Sequence, residues 1–86
     1  MELERYRPEN WILKIAREKT GLTQQQIADK ARIQLRQYQR FESGERNLSS
    51  SSFGIASRVL TALELDPTKF HNGDYSFVTV EYDFNI

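Results

Sequence analysis

The sequence predicts a mainly α-helical domain that continues into a C-terminal β-strand. Two short stretches within residues 23–44 place apolar side chains at helical spacing. The last twelve residues, 75–86, instead alternate apolar and polar side chains, as does a strand with one buried face. We therefore predict an N-terminal arm at 1–7, five helices within 8–72 and a strand-forming segment at 73–86.

Length and composition restrict the class of protein. A chain of 86 residues forms one small domain with a modest core. The lack of cysteine excludes disulfides and argues against structural zinc, and His71 is the single histidine. We find no glycine-rich phosphate loop and no catalytic or metal-binding constellation, so we expect no enzyme activity, cofactor or metal. The N-terminal residues form no long apolar run, which predicts neither signal peptide nor membrane span and therefore a cytoplasmic protein.

Charge is distributed unevenly although the net charge is zero. Residues 1–65 carry 11 basic and 8 acidic side chains, whereas residues 66–86 carry 1 and 4. From Lys30 to Arg46 five side chains are basic and two are acidic. Positive charge therefore concentrates where an anionic polymer could be bound, although a mixed-charge surface is the simpler alternative.

The first predicted helix runs from Pro8 to Thr20. Proline suits the first position of a helix, and Gly21 suits the position after its end. Helical spacing predicts an inward face of Ile12, Leu13 and Ala16, with Trp11 and Ile15 in a second stripe.

Two helices joined by a tight corner follow. Thr23 is a good N-cap for the first, with Gln26 at capping-box spacing, and Ala28 is small enough for closely crossing helices. The corner is Arg32-Ile33. The second helix is predicted from Gln34 to Ser43, with Tyr38 and Phe41 inward and Gly44 as its terminator. This layout is a helix-turn-helix, whose second helix can enter a DNA major groove.

The rest of the helical region is predicted as two helices. The serines at 49–52 suit a loop that ends in an N-cap. A fourth helix is predicted from Phe53 to Leu63, with an inward face of Phe53, Ala56, Val59, Leu60 and Leu63. Asp66-Pro67 begins a short fifth helix that reaches Phe70.

The chain resembles the Cro/C1-type (XRE-like) helix-turn-helix regulators over roughly residues 9–70. The matching residues are Arg17, Gly21-Leu22-Thr23-Gln24, Ile27-Ala28, Ile33, Leu35-Arg36-Gln37-Tyr38-Gln39-Arg40-Phe41-Glu42, Gly44, Arg46-Asn47, Ala62-Leu63 and Leu65. Each match is weak alone, but their order and spacing together indicate the five-helix fold of this family.

The resemblance implies a DNA-binding surface with two kinds of contact. Bases are expected to be read by Gln34, Leu35, Arg36, Gln37 and Arg40. Phosphates are expected to be contacted by Gln24, Arg32, Arg46 and Asn47. It also implies an ion pair between Arg17 and Glu42. The chain departs from the family at the corner, where relatives usually have glycine instead of Arg32, so either Arg32 takes a left-handed conformation or the corner differs.

The alternating tail requires a partner strand, because one strand cannot satisfy its own backbone hydrogen bonds. Its apolar face is formed by Val78, Val80, Tyr82, Phe84 and Ile86. A second copy of the chain is one source of that strand, which predicts a homodimer; the alternatives are docking on its own domain or addition to a foreign sheet.

The predicted function is a phage or bacterial repressor-like regulator that binds double-stranded DNA at a short palindrome. The alternative is an antitoxin-like or inhibitor module that binds a protein partner through the tail.

Overall fold

A computed structural model describes residues 9–72 of the chain. These residues form α1 Glu9–Thr20, α2 Gln24–Ala31, α3 Leu35–Ser43, a 3-10 turn at Leu48–Ser50, α4 Phe53–Ala62 and α5 Pro67–His71. The mainly helical prediction is confirmed for this range. The arm at 1–7, Pro8 and the strand-forming segment at 73–86 lie outside the described residues, so those predictions remain predictions.

Side-chain caps set where three of the helices begin. Thr23 Oγ1 accepts from the Gln26 backbone N–H at 3.1 Å, and Gln26 Oε1 accepts from the Thr23 N–H at 2.9 Å. This completes the predicted capping box. Ser52 Oγ accepts from the Ile55 N–H at the start of α4, and Asp66 caps α5 ahead of Pro67. Each cap satisfies backbone donors that the first helical turn leaves without an intrahelical acceptor.

The core lies between all five helices. Its fully buried members include Ile12 and Leu13 from α1 and Ile27 from α2. α2 contacts both α3 and α4, and its two alanines, Ala28 and Ala31, are completely buried. The predicted inward residues of α3, Tyr38 and Phe41, are buried together with Glu42, whereas Arg36 and Gln39 of that helix are exposed.

Two details of the predicted helices are wrong. Gln34 is the N-cap of α3 and not its first residue, with φ −74° and ψ 148°. Phe53 is 84% exposed instead of facing inward, because α4 starts at this residue and its buried positions are Val59, Leu60 and Ala62. The serine run also differs from a plain loop, since Leu48–Ser50 form a 3-10 turn that buries Leu48.

Arg32 adopts the left-handed conformation at the helix-turn-helix corner, with φ 57°. Its backbone N–H donates to Asp29 O at 3.1 Å, and the next N–H, of Ile33, donates to Ala28 O at 3.0 Å. Arg58 of α4 donates from Nε to Ala31 O at 2.7 Å. Its positive charge therefore lies at the C-terminal end of α2, where the helix dipole favours a cation. These contacts hold the corner although its residue has a Cβ atom.

Arg32→Gly is expected to raise the free energy of unfolding by about 1 kcal/mol, because glycine adopts a positive φ without the steric cost of a Cβ atom. Glu64→Gly is a matched variant, since Glu64 is exposed and has φ 61°. Urea unfolding of both variants measures the gain. Destabilisation by Arg32→Gly alone would show that the Arg32 side chain itself stabilises the corner.

Candidate nucleic-acid interface

The polar surface of α3, the loop that follows it and the start of α4 form one groove of about 410 Å³. Three arginines line it: Arg36 and Arg40 from α3 and Arg46 from the loop. The predicted site residues that it brings together are Gln34, Arg36, Gln37, Arg40, Arg46 and Asn47. This groove is therefore basic and rich in hydrogen-bonding side chains, the chemistry that a phosphate backbone and base edges require.

Three predicted site residues lie outside the residues that line the groove. Leu35 is half-buried at the first turn of α3, Arg32 is exposed at the corner, and Gln24 is half-buried at the first turn of α2. The predicted base contact of Leu35 and the predicted phosphate contacts of Arg32 and Gln24 therefore remain predictions.

The loop after α3 is held against that helix at Gly44 and Arg46. Gly44 ends α3 with φ 90°, and a Cβ atom there would lie 3.2 Å from Asn10 Cγ. The Arg46 N–H donates to Arg40 O at 3.1 Å. Glycine suits this position because L side chains rarely adopt such a φ, and because a Cβ atom would force the Asn10 side chain to shift by a few tenths of an ångström. The loop that carries Arg46 and Asn47 is consequently held close to α3.

Two residues at the start of α1 hold the end of α3 and the turn that follows the loop, and no local pattern in the sequence indicates this role. The Glu9 carboxylate accepts from the backbone N–H of Leu48 and, at 3.2 Å, from that of Ser49. Asn10 Nδ2 donates to Glu42 O at 3.3 Å. A glutamate in the first turn of a helix suggested only a favourable helix-dipole contact. The hydrogen bond between the Glu9 carboxylate and the Leu48 N–H, 39 residues further along the chain, forms only in the folded domain.

The predicted ion pair between α1 and α3 is present. Arg17 Nε donates to Glu42 Oε2 at 2.8 Å and Arg17 Nη2 donates to Glu42 Oε1 at 3.0 Å. The third guanidinium nitrogen, Nη1, donates to Leu22 O at 3.1 Å, so one side chain joins α1, α3 and the segment before α2. Planar, two-bond contacts of this kind fix orientation as well as distance.

Glu42 receives two further hydrogen bonds. The Tyr38 hydroxyl donates to Oε2 at 2.6 Å, and Gln24 Nε2 donates to Oε1 at 2.9 Å. Each carboxylate oxygen thus accepts two hydrogen bonds, which is what a buried anion needs if it is to stay charged. The helix-turn-helix is therefore joined through a single carboxylate that contacts α1, α2 and its own helix.

Protonation in this cluster follows from its geometry. Burial alone would raise the pKa of Glu42, but the hydrogen bonds from Arg17, Tyr38 and Gln24 outweigh it and hold that pKa below its usual value. The hydrogen bond to Glu42 raises the pKa of Arg17. Burial and the same carboxylate raise the pKa of the Tyr38 phenol, which keeps it a proton donor.

Gln24 has a second partner that the sequence did not suggest. Gln39 Nε2, on the exposed side of α3, donates to Gln24 Oε1 at 3.2 Å. The amide of the predicted phosphate-contacting glutamine therefore has hydrogen bonds at both its oxygen and its nitrogen.

Among residues 9–72, no cluster of histidine, cysteine and carboxylate side chains is placed to hold a metal ion. None of the helices in this range is long and apolar enough to cross a membrane.

The geometry defines a helix-turn-helix domain whose second motif helix presents a polar, basic surface. The helix-turn-helix family model HTH_3 matches residues 13–69, and the chain belongs to this family of XRE, or Cro/C1-type, DNA-binding transcription regulators. Members of this family are regulators and typically not enzymes. No curated protein and no solved structure matches the chain significantly.

Proposed function

We propose that this regulator acts as a repressor-like homodimer that binds a short palindromic operator, with α3 in the major groove. The observation that carries the proposal is the basic groove to which α3 and the loop after it both contribute. Base contacts specify a sequence and phosphate contacts position the protein, and this groove offers side chains for both.

The two surfaces of α3 support its entry into the major groove. Tyr38 and Phe41 are fixed in the core, so the orientation of the helix is set by packing. On the opposite side Arg36 is exposed, and Gln37 and Arg40 are half-buried. Arginine can bind guanine O6 and N7 with two hydrogen bonds, and glutamine can bind adenine N6 and N7. We assign Arg46 and Asn47 to the phosphates flanking this helix.

The homodimer rests on the tail and on a second groove. This groove, of about 610 Å³, has a mixed lining in which the apolar side chains of Phe53, Leu60 and Phe70 lie beside serines, Glu9 and His71. Its wall includes α5, and along the chain the alternating apolar residues begin at Val78, seven residues after the end of that helix at His71. We infer that the paired tails of two copies cover this groove. The two recognition helices would then be held about 34–36 Å apart, one turn of DNA.

Selection from a random pool of duplex DNA tests the function. The expected outcome is a two-fold symmetric sequence with half-sites one helical turn apart. The contrary outcome is that no DNA sequence is selected and that the chain binds tightly to a protein encoded beside its gene. That result would support an inhibitor module in place of a regulator.

Arg36→Ala and Arg46→Ala are expected to weaken DNA binding in different ways. Loss of a base contact at Arg36 should cost about 1–3 kcal/mol on the selected site and relax preference at one base position. Loss of a phosphate contact at Arg46 should weaken binding to selected and random DNA alike and reduce the salt dependence by about one phosphate. Titrations of both DNAs at several salt concentrations make the measurement. Equal behaviour of the two variants would contradict the division into base and phosphate contacts.

A further inference from the structure

Gln39 is an exposed residue of α3 that the base-reading assignment leaves unused. It lies between Arg36 and Arg40 along the helix, yet its amide is directed to another helix: Nε2 donates to Gln24 Oε1 at 3.2 Å. Gln24 is the first residue of α2. The hydrogen bond therefore joins the two helices of the motif at their polar surface.

The Gln24 amide can take only one arrangement between its two partners. Its Nε2 lies 2.9 Å from Glu42 Oε1, an oxygen of a carboxylate whose pKa is below its usual value. Such an oxygen accepts and cannot donate, so the nitrogen of Gln24 must face it. Glu42 is itself held by Arg17 and Tyr38, and it is a fixed reference for the amide.

One hydrogen bond leaves an amide free to turn about the line that joins donor and acceptor. The second contact, at Gln24 Oε1, removes that freedom because a planar group is then held at two of its atoms. An amide nitrogen carries two hydrogens, and Glu42 uses one of them. The other N–H of Gln24 therefore points in a single fixed direction, on a side chain that is half-buried at the start of α2.

We propose that Gln39 is a positioning residue that orients the Gln24 amide so that its second N–H is presented to a DNA phosphate. This deepens the proposed function and rests on it. Gln39 does not read a base in this arrangement. Gln39 belongs to the helix that carries Arg36 and Arg40. Its hydrogen bond therefore fixes the position of the phosphate contact made by α2 relative to the base contacts made by α3.

The test uses Gln39→Met, which keeps the length of the side chain but cannot donate. Affinity for selected and random DNA should fall by the same factor, about two- to tenfold, the range for one neutral hydrogen bond. The base preference should not change. The salt dependence should also stay constant, because glutamine neutralises no phosphate charge and releases no counterion.

Gln25→Met is the matched control. Gln25 is also an exposed glutamine of the motif, and its Nε2 donates to Asp29 Oδ1 at 2.9 Å within α2. It has no contact with Gln24 through this bond, so its loss should leave DNA affinity unchanged. Gln39→Met should also have no further effect when Gln24 is already methionine, since the positioned amide is then gone. Two results would show that Gln39 contacts DNA itself. One is that Gln39→Met relaxes the preference at one base, and the other is that it lowers affinity equally when Gln24 is already methionine.

A readout without DNA separates this inference from the proposed function. The two side-chain amide protons of Gln24 should give sharp, distinct NMR signals in the wild-type chain. Gln39→Met should shift them and increase the mobility of that amide, whereas Gln25→Met should not. If the wild type selects no DNA sequence, the proposed function fails and this comparison still decides the orienting contact. Unchanged Gln24 signals in Gln39→Met would overturn the inference.

Discussion

Arg17→Met is expected to lower the free energy of unfolding by about 3–5 kcal/mol, the cost of leaving one member of a buried ion pair without its partner. The Glu42 side chain is only 5% exposed, and Arg17 supplies two of its four hydrogen bonds. The Leu22 carbonyl loses its contact with the guanidinium as well. Urea or thermal unfolding measures the loss.

A double-mutant cycle with Glu42→Leu isolates the pair. Coupling above about 0.5 kcal/mol is expected, because the two side chains are in contact and each depends on the other. The control is a cycle on Arg40 and Glu45, whose closest atoms are 3.7 Å apart and whose side chains are 42% and 65% exposed. Solvent screening should keep that coupling at or below about 0.5 kcal/mol. Additive effects at Arg17 and Glu42 would contradict the structural role assigned to this pair.

The same pair predicts how stability depends on pH. The pKa of Glu42 is lower in the folded chain than in the unfolded chain, where it is about 4.3. The stability that the Glu42 carboxylate contributes is therefore complete above about pH 4.3 and is lost as the pH falls through the pKa of the folded state. The free energy of unfolding should therefore decrease on acidification below about pH 4 in the wild type. Glu42→Gln, which has no carboxyl group to titrate, should show a weaker decrease over the same range.

Local signals carried most of the prediction of the fold. The capping box at Thr23, the glycine at position 44 and the apolar spacing around Tyr38 depend on neighbouring residues, so the sequence shows them directly. The ion pair of Arg17 with Glu42 has no local signal in the sequence. Residues 25 positions apart show no local relation, and it was the family resemblance that joined them.

The residues that were missed act through contacts that depend on the path of the chain. Glu9 holds the turn at Leu48 only because the loop after α3 returns to the start of α1. Gln39 meets Gln24 only because the corner brings two short helices together. The apolar spacing of α4 predicts that Phe53 faces inward, but the start of a helix can project beyond the core that its later turns bury.

Val80→Pro is expected to convert the proposed dimer to monomers and to lower operator affinity by about a hundredfold or more, the gain that joining two binding sites provides. Val80 is near the centre of the alternating run, where a two-fold axis would place the most closely paired residues. Proline removes a backbone donor there and cannot fit an interior ladder position. Both chains of the dimer carry the substitution, so two backbone donors are lost from the paired strands. Sedimentation and DNA titration make the measurement.

Thr79→Ala is the control, since it changes the polar face of the same segment and keeps the backbone donor. A chain ending at Asn72 gives an independent comparison, and the buried core from Ile12 to Phe70 lies within it. Circular dichroism of this shorter chain verifies that the helices persist. If it is as dimeric as the full chain and binds the operator as tightly, the tail is not the dimerisation element. A full-length chain that is monomeric and binds half of a palindrome would instead show that the tail pairs with another protein or with its own domain.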